Sequence, residues 1–179
     1  MSEILGTLFK YLLALLAITA VVIVLYEALG SNKVSTAVSE VTTMQANISQ
    51  LYSGSTDYSG LTTATVIQAK AAPSAMFITT GSGSTASTSL YNPWGGTVAV
   101  AQDTNLTNDD DITFSSVPAD ACAKLAASVS SAAQITINNG TALTPTGTGN
   151  SALNPANIAS ACAGSTNGVS TIVFTFPIS

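Results

Sequence analysis

The sequence predicts an α+β fold in which a long N-terminal helix packs on an antiparallel β-sheet head. Three observations predict it: an apolar run opens the chain, an amphipathic helical stripe follows it, and short alternating segments between turn residues fill the remainder. We therefore expect a hydrophobic transmembrane or core helix over residues 1–30. We expect its amphipathic half over residues 31–52 and a globular αβ head over residues 53–179.

The composition excludes several classes of function. Charged residues make up 7% of the 179-residue chain, the formal net charge is −5, and the sequence contains no Arg and no His. Nucleic-acid binding requires a basic face, so no nucleic-acid partner is expected. Without His, the Ser-His-Asp and Cys-His catalytic sets and imidazole metal ligation are absent. The sequence therefore predicts a protein that is not an enzyme and that holds no cofactor.

The opening segment is apolar enough for a membrane. From Ile4 to Leu25 the only charged residue is Lys10. About 22 helical residues reach about 33 Å, which is enough to cross a bilayer core of about 30 Å. A cleavable secretory signal is the alternative, but the first ten residues hold both an acid and a base and no clean small-x-small cleavage site follows. We expect a retained helix.

The next segment has one apolar face. Its apolar residues follow one another at spacings of 4, 3, 3, 4 and 3, while Glu40, Asn47 and Gln50 are expected on the opposite, polar face. We expect the apolar stripe to pack against the head. Its members are Val34, Val38, Val41, Met44, Ile48 and Leu51.

The first part of the head begins with a turn-rich link. Residues 63–71 are predicted to form a short helix that ends before Pro73. The Ser/Thr/Gly-rich segment at residues 79–89 predicts a flexible loop. The alternation of Val98 and Val100 predicts a strand.

The second part of the head alternates strands and helices. Ile112 and Phe114 predict a strand with one buried face, and a helix is expected to begin at Pro118. Ile135 and Ile137 predict another strand, closed by an Asn-Gly turn. A short helical turn and a final strand complete the chain. Consecutive strands with short connections favour an antiparallel sheet.

The two cysteines, Cys122 and Cys162, suggest a disulfide in an exported chain. The closed loop would hold about 41 residues, and the chain-entropy model gives roughly 4 kcal/mol of stabilisation. Two buried free thiols are the alternative. Metal binding is disfavoured because the sequence has no other soft ligand.

Two further features, a tryptophan and an acidic run, could each serve either in binding or only in the structure of the head. Trp94 either binds a ligand or packs in the head, and packing is favoured. The acidic run Asp109–Asp111, with Asp103 and Asn105 upstream, has oxygen ligands suited to calcium. Its spacing matches no EF-hand loop, so a solvated acidic turn is favoured and no metal site is expected.

Several segments, in order, resemble the type IVb pilins, and most closely the thin-pilus major pilins of conjugative plasmids. They are "ANISQLYSGSTDYSGLTT", "AAPSAM", "NPWGGTV", "DACAKL" and "SACAGSTNGVSTIVFTF". The most specific is the motif Asn92, Pro93, Trp94, Gly95 and Gly96. The resemblance covers nearly the whole chain. It implies the pilin fold, with a disulfide between Cys122 and Cys162 closing the C-terminal region.

The resemblance also implies a structural function. Such a subunit is held in the inner membrane, processed by a prepilin peptidase, and extracted by an assembly machinery into an extracellular homopolymer used for adhesion, aggregation or mating contact. Residues expected to act in filament assembly are Glu3, Leu5, Phe9, Lys10, Leu12 and Leu16. Two rivals stay open, namely a pseudopilin of a type II secretion system and a membrane-anchored periplasmic binding domain.

The chain departs from the pilin pattern at one position. Pilins usually carry Glu at the fifth mature residue, whereas residue 5 here is Leu and the nearest acid is Glu3. A bare carboxylate or ammonium is costly in an apolar core. One hypothesis is that Glu3 pairs with a terminal amine or with Lys10 of an adjacent copy. The alternative, which is compatible with it, is that both charges lie at the lipid headgroups before assembly.

Overall fold

A computed structural model describes residues 2–83, 86–105 and 108–177, and the side chains within them except those of residues 2–7 and 20–31. The chain divides into two compact units, one ending at Lys33 and the other beginning at Val34. The helices are α1 (Ser2–Leu51), α2 (Thr63–Gln68), α3 (Ala119–Ser128) and α4 (Pro155–Ala163). The strands are β1 (Phe77–Thr80), β2 (Ser87–Tyr91), β3 (Thr97–Gln102), β4 (Asp109–Pro118), β5 (Gln134–Ile137) and β6 (Val169–Pro177).

The described strands form one six-stranded sheet in the order β1-β2-β3-β4-β6-β5. Every neighbouring pair is antiparallel. The pairing of β4 with β6 shifts register between Phe114 and Val117, where Ser116 has a φ of 54°. The predicted α+β fold, with a helix on an antiparallel sheet, is confirmed.

The core of the head forms where the sheet meets the second half of α1. Alternating residues of β4 and β6 face inward, and Phe114 meets Phe174 edge to face with ring centroids 6.2 Å apart. From α1, the side chains of Ala37, Val41 and Met44 are completely buried. The hydrophobic effect of this contact holds the helix on the sheet.

The short helices begin where capping residues occur. The Thr62 side chain accepts a hydrogen bond from the backbone N–H of Thr65 at the start of α2, and Asn154 does the same for Asn157 at the start of α4. Helix α2 ends at Gln68, earlier than the predicted residue 71, and Lys70 then adopts a φ of 52°. The left-handed conformation ends a helix.

The predicted loop at residues 79–89 is wrong at both of its ends. Residues 77–80 pair with residues 87–90 as the antiparallel strands β1 and β2. The hydroxyl groups of Thr79 and Thr88 bond across the pair at 2.9 Å. Threonine favours strands because it is β-branched, and this preference outweighs the turn-rich composition of the segment.

A turn follows β5 as predicted, but its two central residues are Asn138 and Asn139 rather than the expected Asn-Gly pair. Asn138 and Asn139 have φ values of 53° and 54°, and the chain returns so that Ile135 and Leu143 exchange two backbone hydrogen bonds of 2.9 and 2.8 Å. Asn tolerates this left-handed conformation better than most residues. The Asn138 side chain also donates to the carbonyl oxygen of Ala161, at 3.2 Å, which joins the turn to α4.

Candidate functional site

The first half of α1 presents apolar side chains to its surroundings. Eight large apolar residues between positions 8 and 18 are each between 53% and 72% exposed. They are Leu8, Phe9, Tyr11, Leu12, Leu13, Leu15, Leu16 and Ile18. Lys10 is exposed among them, whereas the predicted assembly residues Glu3 and Leu5 have side chains outside the described set. Over the residues that the structure describes, no helix is both long and apolar enough to span a membrane.

The predicted stripe on the second half of α1 lies mostly in the core. Four of its residues, Val34, Val41, Met44 and Ile48, are buried, and Val38 is half-buried against them. Leu51 differs, since 48% of its side chain is exposed. It is the last residue of the helix, and the chain turns away there, with the N–H of Tyr52 bonded to the carbonyl of Ile48.

Glu40 does not lie on the solvated face where the sequence placed it. Its side chain is 7% exposed, and its Oε2 atom is buried without a hydrogen-bond partner. Burial raises its pKa to about 7. The spacing explains the position, because Glu40 lies three residues after Ala37 and four before Met44, which are both buried. This spacing was the feature of the sequence from which the burial of Glu40 could have been predicted.

The acidic run of β4 is also not a solvated turn. Asp110 is completely buried, and it shares the inward face of the strand with Ile112 and Phe114. Within the described part of the chain, neither of its carboxyl oxygens has a hydrogen-bond partner of normal geometry. Burial raises the pKa of Asp110 to about 7, and the nearby Tyr58 hydroxyl lowers the pKa by less than burial raises it. In the folded head Asp110 therefore keeps its proton up to about pH 7.

Two acids of the predicted group, Asp111 and Asp103, each accept a hydrogen bond. Within the described residues, no group of three or more His, Cys, Asp or Glu side chains could hold a metal ion. The Asp111 side chain instead accepts a hydrogen bond of 2.6 Å from the Thr175 hydroxyl of the neighbouring strand β6. The Asp103 side chain accepts one from the backbone N–H of Asn105, also at 2.6 Å.

The motif at residues 92–96 builds the connection between β2 and β3. The buried Asn92 side chain accepts hydrogen bonds of 3.0 Å from the backbone N–H groups of Trp94 and Gly96. Its Nδ2 atom donates to the carbonyl oxygen of Ser115 on β4, at 2.7 Å. One side chain thus closes the turn and ties it to the strand beside it. Pro93 and Trp94 are half-buried, and Trp94 packs against the core.

The two glycines of this motif are required by the backbone. Gly95 has a φ of +82°, a left-handed conformation that disfavours other residues. At Gly96 a Cβ atom would lie 1.9 Å from the carbonyl oxygen of Ser115, so no side chain fits. The conformation of the turn therefore explains why glycine occurs at both positions of the motif.

Cys122 and Cys162 form the predicted disulfide, which joins α3 to α4 with a Cα–Cα distance of 5.9 Å. Both residues are buried. The disulfide encloses β5 and the turn after it. Beside that turn lies an uncharged groove of about 380 Å³ that Asn138, Asn150 and Asn157 help to line.

The family model described as "PilS N terminal" matches residues 31–177. The chain belongs to the PilS N-terminal family. A type IVb pilin from Salmonella typhi is similar in structure, with a TM-score of 0.59 and 26% sequence identity over 80% of this chain and 99% of that one. TcpA, a type IV pilin from Vibrio cholerae El Tor biotype, matches with a TM-score of 0.57 and 15% identity over 80% and 98%. No curated protein sequence matches the chain.

These matches confirm that this PilS-family chain resembles the type IVb pilins, as the sequence motifs predicted. They also confirm the pilin fold, with its long helix, antiparallel sheet and C-terminal disulfide. The chain is therefore a pilin subunit, and its relatives are structural proteins. The family match includes the motif at residues 92–96, both cysteines and the buried acids Glu40 and Asp110.

Proposed function

We propose that this chain is the major structural subunit of a type IV pilus and polymerises through its N-terminal helix into an extracellular filament. One observation carries the proposal: the first half of α1 exposes eight large apolar side chains between Leu8 and Ile18, with Lys10 as the one charged residue in that range. Monomeric soluble proteins rarely expose contiguous apolar surface of this kind, and such surface usually marks an interaction site.

The energetics favour a shared environment for these side chains. Burying each one is worth about 1.5–3 kcal/mol, so eight of them give a strong driving force for removal from water. Copies of the same helix, packed side by side, provide that environment. The contact is heterologous and open, because the same surface meets a different surface on the next copy, and it therefore grows into a fibre.

Within this assembly, Leu5, Phe9, Leu12 and Leu16 supply apolar contacts between copies. Glu3 pairs with a terminal amine or with Lys10 of a neighbour, since neither charge is stable alone in an apolar core. The resemblance to pilins motivates both assignments.

Before assembly, the same helix holds the subunit in the inner membrane. The sequence from Tyr11 to Leu25, which contains no charged residue, supports this part of the proposal. A prepilin peptidase and a pilus assembly machinery are the partners that a pilin of this type requires. Adhesion, cell aggregation and mating contact are the uses that the family resemblance supports.

Electron microscopy of material sheared from the cell surface tests the polymer. We expect filaments that contain this chain as their main component. Leu16→Lys should abolish them, because it places a charge in the filament core, whereas the matched control Leu16→Ile should leave them intact. Equal filament yields from the two variants, or purified protein that stays monodisperse after detergent is withdrawn, would contradict the proposal.

A further inference from the structure

The buried carboxyl group of Glu40 has an oxygen atom without a hydrogen-bond partner among the described residues. We propose that Glu40 receives the side-chain ammonium of a lysine from a second copy of this chain, and that the lysine is Lys124. The inference rests on the proposed filament, since it concerns the contact between neighbouring subunits.

Glu40 lines a groove of about 400 Å³ beside α1. One wall is a single face of the helix, which presents the hydroxyl groups of Ser35, Ser39 and Thr43, and the other wall holds Pro73 and Ala75. The Glu40 side chain is 7% exposed, and its buried Oε2 atom accepts no hydrogen bond. A buried acceptor that borders an open groove is able to take a donor that enters the groove.

The chemistry of the groove fits an ammonium group. An ammonium carries one charge and three hydrogen-bond donors, which match one carboxylate and the neighbouring hydroxyl oxygens. A calcium ion would require six to eight oxygen ligands, usually with several carboxylates, and among the described residues Glu40 is the only carboxylate that lines the groove. The raised pKa of Glu40 agrees with the missing cation, because an adjacent ammonium would lower that pKa.

The chain itself supplies candidates for the cation. Its basic side chains are Lys10, Lys33, Lys70 and Lys124, and none of them forms an ion pair within the part of the chain that the structure describes. In a heterologous polymer the groove meets a different surface of the next copy, so its occupant should come from an element that does not build the groove.

Lys124 meets this requirement best. It is exposed on α3, an element that contributes no residue to the groove. Lys10 and Lys33 lie on the same helix as Glu40, and Lys70 lies three residues before Pro73 of the groove wall. The buried disulfide at Cys122 fixes the start of α3 and holds the element that presents Lys124.

Zero-length carbodiimide cross-linking of assembled filaments tests the contact directly. The filaments should be grown from a mixture of unlabelled and ¹⁵N-labelled subunits, so that mass spectrometry separates links between copies from links within one copy. We expect an amide between Glu40 and Lys124 that joins labelled to unlabelled chains, and that disappears in Glu40→Gln filaments. Wild-type filaments that give no such link would overturn the inference.

A charge exchange provides the functional test. Glu40→Lys and Lys124→Glu should each lower the filament yield at least tenfold, and the double variant should restore most of it. The matched control Lys70→Glu should leave the yield unchanged. Failure of the double variant to recover, while wild-type cells make normal filaments, would overturn this contact and leave the proposed function intact. Wild-type cells without filaments would instead contradict the proposed function.

Discussion

The Nδ2 atom of Asn92 donates a hydrogen bond to the carbonyl oxygen of Ser115 at 2.7 Å, and this bond joins the β2–β3 turn to the irregular segment of β4. The same side chain accepts two backbone N–H groups within the turn. A single side chain therefore satisfies three backbone groups. Such groups are costly when they are left unpaired and buried.

Replacement of Asn92 by Ala should consequently destabilise the head by about 2–4 kcal/mol. The buried N–H of Gly96 costs about 1–3 kcal/mol when it loses its partner, and the other two groups cost less because they are only partly buried. Trp94 is the only Trp of the chain, so its fluorescence during denaturant unfolding of the full-length protein measures the change locally. Asn92→Ser is the matched control, because its hydroxyl keeps an acceptor for the turn N–H groups, adds no charge, and is too short to donate to Ser115. It should lose less stability than Asn92→Ala, and the opposite order would contradict this assignment.

Gly96 provides a second test of the same turn. Gly96→Ala should destabilise the head by about 1–3 kcal/mol or more, because the new Cβ would lie 1.9 Å from the Ser115 carbonyl oxygen and the backbone would have to move. Gly54→Ala is the control, since nothing lies within 4 Å of a Cβ at that position. Thermal unfolding should separate the two variants clearly. Similar midpoints would show that the turn relaxes without cost.

The sequence predicted the fold because the relevant signals are local and periodic. The 3–4 spacing from Val34 to Ile48 indicates one helix face, and the alternation in β4 and β6 indicates strands. The strand order in the sheet is not a local property, and no periodicity encodes it. The β1–β2 hairpin was missed because its Ser, Thr and Gly residues are equally typical of loops.

The buried acids were missed for a different reason. Acidic residues are almost never fully buried unless they are paired, so Glu40 and Asp110 were placed in solvent by residue type. Their positions in the periodic pattern pointed inward, since Asp110 lies two residues before Ile112 on the same strand face. At both sites the inward-pointing position in the periodic pattern outweighed the preference of acidic residues for solvent. The sequence shows that these two tendencies conflict, but it does not show which of them the fold follows.

The disulfide leads to a third prediction. Reduction, or the paired replacement of Cys122 and Cys162 by Ser, should lower the free energy of unfolding by about 4 kcal/mol, because the bond closes a loop of about 41 residues in the unfolded chain. Denaturant unfolding with and without a thiol reductant measures this loss. The double Ser variant should show no response to the reductant. An unchanged midpoint for the reduced wild type would contradict the prediction.

The last prediction concerns pH. Burial raises the pKa of Asp110 from 3.8, and that of Glu40 from 4.5, to about 7 in the folded head. Between about pH 4 and pH 7, these two carboxyl groups therefore stay protonated in the folded state but are ionised in the unfolded chain. The free energy of unfolding should therefore be largest below about pH 4, fall as the pH rises towards 7, and level off above it.

Each retained proton changes the stability by at most about 1.4 kcal/mol per pH unit. Asp110 should contribute more than Glu40, because Asp110 is enclosed in the core whereas Glu40 borders an open groove. Burial also raises the pKa values of Asp109 and Asp111, which act in the same direction. A variant is therefore needed to separate the contribution of Asp110 from the others.

Asp110→Asn supplies that variant, because it removes the titrating group and nearly preserves its shape. Denaturant unfolding of the unassembled full-length chain at about pH 4, 5.5, 7 and 8.5 should show a flatter profile for Asp110→Asn than for the wild type. At about pH 8.5 the variant should be the more stable protein, since the wild type must then either ionise Asp110 inside the core or unfold. A wild-type profile that rises between pH 4 and 7, or a variant with an unchanged slope, would show that Asp110 does not hold its proton in the folded head.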